Sequence, residues 1–395
     1  MKLEQYRTLW GNIDIFDGLL AGSPHHDIDT LLPHLASLGY DGVEMPFKLA
    51  LFLGPERLKD LLVQNDMHLT LSIYTDSSFN AGSPELDWWG GSHPGFTPPT
   101  LAVEMAAALA QRTERHSAKN THQNYQATYE VVEDQQSDAL LQILERHLTC
   151  FKEEAAACYQ LFGDRKKGGL LTLLVAHDLR DNFPWALAAR YFRDILAWEK
   201  ENDFVVAHET HRKRFLYSPW AIRDFFLKYP DIHDQIQLCA DYSHLLCVSE
   251  VDTSDPVLNQ VIDFLAPNVI HTQCRVGYDH GPQVSDPRSP EWIHYMEGMA
   301  AWWDKIWQSQ FARDCEYTTM IAEHGPPTYQ MCVPGTEQPL ANIWDVNHWI
   351  QLQRQNHFKQ LFGSNHQTSK LVPSETQGYE PEAKSLKSVS DESTK

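Results

Sequence analysis

Short apolar runs that end in polar residues recur along the second half of the chain. The run Phe204–Ala207 leads directly into a polar cluster that contains Glu209. Apolar runs of this length are typical of strands buried on both faces, as in a parallel sheet covered by helices. Such sheets carry their chemistry where the strands end. We therefore interpret each run as a strand and its polar end as a candidate site.

Three later runs repeat this design, and they end near Asp241, His271 and Glu323. The intervals from Glu209 onward are 32, 30 and 52 residues. A strand, a loop, a helix and a return loop take about 30 residues, so the first two intervals each fit one βα unit and the third fits one unit with an inserted loop. The carboxyl ends of the strands of a closed parallel barrel meet at one mouth. The four polar ends are therefore predicted to converge.

The same spacing of about 30 residues per βα unit is present from the start of the chain. Helical spacing over 27–38 is followed by a short strand at Tyr40–Phe47, and the first strand is predicted at Tyr6–Asp14. Eight strands in this rhythm predict an α/β protein with a (β/α)8 TIM barrel. The predicted strands lie near Trp10, Val43, Ser72, Leu173, Val206, Leu238, Ile270 and Met320.

The pattern assigns residues 1–363 to this barrel and breaks in two places. Residues 77–136 are rich in Gly, Pro, Ser, His and Asn, which predicts a long insertion after the third strand. An insertion there falls on the active-site face, so it is a candidate lid or a contact in a homo-oligomer. Residues 364–395 contain hardly any large apolar side chain and are predicted to be a disordered tail.

The composition and the net charge limit the classes of partner that the protein is expected to bind. The formal net charge of −21 opposes long-range attraction to polyanions, so we expect no nucleic-acid or anionic-membrane partner. No apolar run approaches the roughly 18 residues that a membrane helix needs, and the first residues lack the apolar core of a signal peptide. We therefore expect a cytoplasmic protein. The seven cysteines form no C-x-x-C pair, which indicates reduced thiols rather than a disulfide framework.

The four strand-end side chains that are predicted to converge are three carboxylates and one imidazole: Glu209, Asp241, His271 and Glu323. This set suits a divalent ion that prefers oxygen ligands with one nitrogen, such as Mn²⁺, Mg²⁺ or Co²⁺, and it is also compatible with Zn²⁺. An open mouth leaves coordination positions for substrate oxygens, as a catalytic ion requires. Any one of these residues alone is more often an ordinary ion pair. Their positions at the ends of four consecutive strands favour a metal site.

The residues around these positions resemble a known superfamily. Glu209 within HET, Asp241 and His244 within DYSH, the strand-end His271 and the final Glu323 resemble the xylose isomerase-like TIM-barrel superfamily, in particular its sugar isomerase/epimerase branch. The likeness extends over about residues 6–362. It implies that the same two glutamates, the aspartate and the histidine bind the metal ion, and that the substrate is a small sugar or a sugar derivative.

The resemblance also implies that His244 and Arg275 contact the substrate. From the chemistry of proton transfer we further predict that Glu209 and Glu323 act both as ligands and as catalytic acid/base residues. We also predict that His177 and His211, together with His244 and Arg275, hold substrate hydroxyls or the carbonyl.

The chemistry that follows is proton transfer next to a carbonyl. Removing that proton is slow in water because the enediolate is unstable. A divalent ion that chelates the two vicinal oxygens stabilises the charge, and a positioned carboxylate takes the proton. Two glutamates on opposite sides of the sugar would allow removal on one face and return on the other, which is epimerisation. Return to the neighbouring carbon would be aldose–ketose isomerisation.

Three other functions are compatible with such a barrel. A lyase or dehydratase acting on oxidised sugars or inositols would share the first step and then expel a β-substituent. A DNA-repair enzyme like endonuclease IV would need three zinc ions and additional histidines, which the end of the third strand, Ser72–Thr75, lacks. A sugar-binding barrel without catalysis is the third alternative, and the presence of both glutamates disfavours it.

Overall fold

Eight parallel strands form a closed barrel. A computed structural model describes residues 1–10, 27–75, 138–181, 183–363, 367–368 and 371–372. The strands are β1 Lys2–Thr8, β2 Gly42–Pro46, β3 His68–Tyr74, β4 Leu171–His177, β5 Val206–Glu209, β6 Leu238–Ala240, β7 Val269–Cys274 and β8 Tyr317–Ala322. Each strand pairs in parallel with the next, and β1 pairs with β8. The predicted (β/α)8 barrel is therefore confirmed.

Helices occupy every connection between consecutive strands and also follow the last one. Their amphipathic sequences bury one face, as in the helix that begins after Asp255, which buries Leu258, Val261, Ile262 and Leu265. The helices are α1 Ile28–Ser37, α2 Phe47–Leu53, α3 Pro55–Gln64, α4 Asp138–Phe162, α5 Trp185–Asn202, α6 Pro219–Lys228, α7 Pro230–His233, α8 Tyr242–Ser249, α9 Pro256–Leu265, α10 Ile293–Ala312 and α11 Ile343–Phe362.

Alternation along the strands separates two apolar cores. On β4, Leu173 and Val175 face the barrel interior, where they pack with Ala207 and Cys239. Leu174, which lies between them, joins the larger cluster beneath the helices. Successive side chains of a strand point to opposite faces, so every second residue of each strand points inward. The same alternation carries inward-facing polar residues up to the mouth.

The first strand begins and ends earlier than the sequence pattern predicted. It spans Lys2–Thr8 rather than Tyr6–Asp14, and its pairing with β8 begins at Lys2. Trp10 lies beyond the strand, and its N–H donates to the hydroxyl of Thr8 at 3.2 Å. Apolar residues that continue past Thr8 extended the predicted strand. The observed pairing ends at Thr8 opposite Glu44 on β2 and at Arg7 opposite Ala322 on β8. Residues 11–14 lie outside the described part of the chain.

The predicted insertion at 77–136 also lies outside the described residues. The assignment of 1–363 to one barrel stays a prediction. No helix in the part of the chain that the structure describes is long and apolar enough to cross a bilayer.

Four residues of the predicted tail are described, and they contact the barrel. Leu371 is buried, and its N–H donates to the side-chain carbonyl of Gln355 at 3.2 Å. The N–H of Val372 donates to the carbonyl oxygen of Leu38 at 3.0 Å. These contacts dock the segment against α1 and α11. For the remaining residues beyond 363, disorder stays a prediction.

Candidate active site at the carboxyl ends of the strands

A cavity opens at the mouth of the barrel, where the carboxyl ends of the strands meet. Its lining combines charged, aromatic and amide side chains, which arrive from most of the strands because the inward face of each strand ends here. The lining residues are Thr8, Trp10, Glu44, Met45, Pro46, Ser72, Tyr74, His177, Glu209, His211, Arg214, Gln273, Arg275, Glu323 and Tyr329.

Three of the four predicted metal ligands come together at this mouth. Glu209, Asp241 and Glu323 each offer an oxygen atom, and these oxygens lie within 4.8 Å of one another. All three side chains are buried. Burial, followed by the charge of Asp241, raises the pKa of Glu209 well above its usual value. Burial likewise raises the pKa of Glu323, against the opposing charge of Arg275. Their role as ligands stays a prediction that this geometry supports.

Arg275 is bound to two of these carboxylates. Its Nη2 donates to Asp241 Oδ2 at 2.6 Å and to Glu323 Oε2 at 3.0 Å. The guanidinium carbon lies 5.0 Å from the ring centroid of Trp10 and 4.8 Å from that of Tyr329. Burial lowers the pKa of Arg275, but the charges of the two carboxylates outweigh it and the pKa is raised. The predicted contact between Arg275 and substrate stays a prediction.

His271 does not join the three carboxylates, and its role as the fourth ligand stays a prediction. Its Nδ1 lies 2.8 Å from the hydroxyl of Thr319, and its Nε2 lies 3.0 Å from Glu44 Oε2. On the ladder His271 pairs with Cys239, two residues before Asp241. Two strand residues span about 6–7 Å, so His271 lies one layer of side chains below the mouth. The sequence pattern predicts the face of the strand on which a residue lies but not its depth.

On β7, Gln273 is the residue that lies at the depth of the mouth and lines the cavity. It faces inward like His271 because the two are separated by two residues. The end of its amide lies 3.0 Å from Glu209 Oε1 and 3.2 Å from Glu323 Oε2, and the nitrogen donates to both oxygens in the orientation that satisfies the hydrogen bonds. The pattern of titratable strand-end residues did not indicate it, because glutamine is not titratable. The signal available was its position two residues before Arg275 on the same strand face.

The three predicted substrate-binding histidines lie beside Glu209. His177 Nδ1 contacts Glu209 Oε2, and the ring of Tyr74 stacks on His177 with centroids 4.1 Å apart. The rings of His211 and His244 lie 3.9 Å apart between centroids. Burial, followed by nearby positive charge, lowers the pKa of both His211 and His244 well below the usual value. The structure therefore brings the three rings together, and their contact with substrate stays a prediction.

Neighbouring residues of the same strand ends point away from the mouth. His208 lies between two carboxylates under the helices, with Nδ1 2.7 Å from Asp178 Oδ2 and Nε2 3.1 Å from Glu199 Oε1. Nε2 of His324 accepts the N–H of Val276 at 3.2 Å. Strand alternation predicts that residues next to inward-facing ones point to the other face, and both histidines lie outside the cavity lining.

The side chains at the mouth fit a divalent cation. Among the described residues, a second group with ligand atoms within 4.8 Å of one another consists of Glu209, His211 and His244. The charged groups around the mouth are all buried: Glu44, Glu209, Asp241, Glu323, Arg214 and Arg275. Burial raises the pKa of Glu209 and Glu323, so a bound cation would favour their ionised forms. With all four carboxylates ionised and the histidines neutral, four negative and two positive groups would leave two negative charges. One divalent ion would balance them.

No protein-family model matches the chain, and no curated protein matches it. A matched solved structure is that of a xylose isomerase domain protein from Alicyclobacillus acidocaldarius, at 12% identity, covering 91% of this chain and 98% of that chain, with a TM-score of 0.43. Another is D-allulose 3-epimerase from Methylomonas sp. in complex with D-allulose, at 11% identity, 91% and 97% coverage, and a TM-score of 0.43.

A third matched structure is an AP endonuclease of family 2 from Brucella melitensis, at 11% identity, covering 69% of this chain and 79% of that chain, with a TM-score of 0.37. These proteins carry out different chemistries. At these identities and TM-scores the likeness concerns the fold and carries no argument about activity.

Proposed function

We propose that this protein is a divalent-cation-dependent isomerase or epimerase that acts on sugars or sugar derivatives by moving a proton at the carbon next to a carbonyl. The observation that supports this most directly is the meeting of Glu209 and Glu323. These residues come from β5 and β8, yet their oxygen atoms lie within 4.8 Å of each other and of Asp241 in one buried group. A barrel that needed only stability would not bring three carboxylates into contact.

The residues that would hold the cation are Glu209, Asp241 and Glu323. When bound, a divalent ion would supply stabilisation of the negative charge that develops on substrate oxygens during proton removal. Both glutamates lie in the cavity lining, where a carboxylate can take a proton from carbon and return it. Exchange at one carbon would give an epimer, and transfer to the neighbouring carbon would give an isomer.

The surrounding residues position these groups and the substrate. The ring of Tyr74 stacks on His177 at an interplanar angle of 6°, which holds Nδ1 of His177 toward Glu209. His211 and His244 offer ring nitrogens that can hydrogen-bond to substrate hydroxyls. The ring of Trp10 provides an apolar surface beside these polar groups, as sugar-binding sites commonly do.

The experiment is a screen of ketoses and oxidised sugars for deuterium uptake from D₂O in the presence of Mn²⁺. For any substrate found, we expect Glu323→Gln to lower turnover by orders of magnitude, because an amide cannot accept the proton. Mn²⁺ binding should be retained, since the amide keeps an oxygen ligand. Glu201→Gln, at an exposed position on α5, is the matched control and should leave turnover unchanged.

The outcomes separate the alternatives. Unchanged turnover in Glu323→Gln would remove the proposed mechanism. Products that have lost an oxygen substituent would identify the lyase or dehydratase that shares the first step. A wild-type protein that neither binds Mn²⁺ nor exchanges deuterium with any sugar would favour the barrel without catalysis.

A further inference from the structure

We propose that Gln273 supplies the fourth oxygen ligand of the cation site, so that the primary site contains only oxygen donors and selects Mg²⁺ or Mn²⁺. This inference rests on the proposed function, because it names the composition of the same site. It replaces the histidine that the strand-end pattern predicted with an amide two residues further along β7.

The register of the sheet places Gln273 where a fourth ligand is needed. His271 pairs with Cys239 on β6 and with Thr319 on β8. The next inward-facing residue of β7 is Gln273, which lies opposite Ile321, two residues before Glu323. Its side chain is buried, with 1% of its surface exposed, and it lines the cavity between Glu209 and Glu323.

The amide of Gln273 ends between two of the carboxylates. Its terminal atom on that side lies 3.0 Å from Glu209 Oε1 and 3.2 Å from Glu323 Oε2. With the oxygen turned to that side, the amide would complete a set of oxygen ligands around one cation. Ligand oxygens around one cation lie at such separations, since the bonds to Mg²⁺ or Mn²⁺ are about 2.0–2.2 Å long.

The donor chemistry sets the preference among ions. Carboxylate and carbonyl oxygens suit Mg²⁺, Ca²⁺ and Mn²⁺, whereas imidazole nitrogens favour Zn²⁺ and Cu²⁺. The group built on Glu209, Asp241 and Glu323 contains no nitrogen, and Gln273 adds a neutral oxygen to it. The competing group contains His211 and His244, so it would favour the softer ions.

The same amide can be satisfied without an ion if it is turned by 180°. Its nitrogen would then donate to Glu209 Oε1 and Glu323 Oε2 at the same two distances. In that arrangement the amide and Arg275 together would stabilise the carboxylates, and Gln273 would not be a ligand. The two arrangements make opposite predictions for the binding of Mn²⁺.

The test measures Mn²⁺ binding to the purified full chain by calorimetry and by electron paramagnetic resonance of free Mn²⁺. We expect Gln273→Ala to weaken Mn²⁺ binding by about tenfold or more, because a ligand is lost. Gln273→Glu keeps an oxygen at the same reach and should bind Mn²⁺ at least as tightly as the wild type. His211→Gln, which removes an imidazole of the competing group, should stay within about twofold of the wild type.

Circular dichroism of each variant establishes that it is folded, and Gln273→Glu keeps the test decisive if Gln273→Ala does not fold. Unchanged Mn²⁺ affinity in Gln273→Ala, or a loss in His211→Gln alone, would overturn the assignment of Gln273 and leave the proposed function standing. A loss of Mn²⁺ binding in Gln273→Glu would also overturn it. A wild-type chain that binds no Mn²⁺ at millimolar concentration would overturn both this inference and the cation-dependent function.

Discussion

At the scale of a single residue, Arg275 compensates negative charge at the mouth of the barrel. It is almost fully buried, and it donates to Asp241 through Nε and Nη2 and to Glu323 through Nη2. Removing one partner of a buried ion pair leaves an uncompensated charge and costs about 3–5 kcal/mol. We therefore expect Arg275→Met to lower the free energy of unfolding by about this amount, measured by urea denaturation without added metal ions.

The control is an arginine whose ion pair lies at the surface. Arg190 pairs with Glu145, and both side chains are about half exposed. Exposed pairs of this kind contribute about 1 kcal/mol or less, so Arg190→Met should change stability only slightly. Equal effects of the two substitutions would show that Arg275 does not stabilise the carboxylates.

At the scale of elements, Glu4 joins β1 to the turn that precedes β4. Its Oε1 accepts from Arg165 Nη2 at 2.9 Å and from Lys2 Nζ at 3.0 Å. Burial raises the pKa of Glu4, but the hydrogen bonds and charges of Arg165 and Lys2 outweigh it, so the pKa is lowered. A carboxyl with a lowered pKa in the folded state stabilises the protein above its unfolded pKa, which is about 4.3. That contribution is lost as the pH falls through the folded value.

We therefore expect Glu4→Gln to cost about 1.5–3 kcal/mol at pH 7, the range for hydrogen bonds to charged groups. The difference between the wild type and the variant should shrink as the pH falls below about 4.3. Urea denaturation at several pH values measures this. Glu56→Gln, at an exposed position, is the control. A constant difference down to pH 3 would contradict the assignment.

The spacing of polar strand ends was sufficient to predict the barrel and the meeting of three carboxylates at its mouth. It could not predict depth along a strand: the last residue of β6, Ala240, pairs with Thr272, whereas β7 continues to Cys274. His271 and Gln273 share a face, and the sequence pattern does not say which of them reaches the mouth. The aromatic residues that line the cavity were not predicted, because large aromatic side chains are at least as often part of the packing as of a site.

At the scale of the whole molecule, the segment around residue 371 holds the first and last helices together. Leu371 is buried, Val372 receives a hydrogen bond from His348 at 2.8 Å, and its N–H donates to Leu38. Burying a leucine contributes about 1.5–3 kcal/mol, and each hydrogen bond contributes about 1 kcal/mol. We expect a chain that ends at Gly363 to lose about 2–5 kcal/mol of stability in thermal or urea unfolding.

The matched control is a chain that ends at Val372, which keeps all of these contacts. It should unfold like the full-length protein. If both truncated chains unfolded like the full-length protein, the docked segment would not contribute to stability.

Two adjacent residues of β5 face different surroundings, and this has an evolutionary consequence. Glu209 belongs to the mouth, whereas His208 belongs to a buried cluster with Asp178 and Glu199 on the opposite face of the sheet. Under the proposed function, selection for the reaction acts on Glu209, and selection for folding acts on His208. Descendants of this chain could then exchange one substrate for another while the histidine beside Glu209 stays the same.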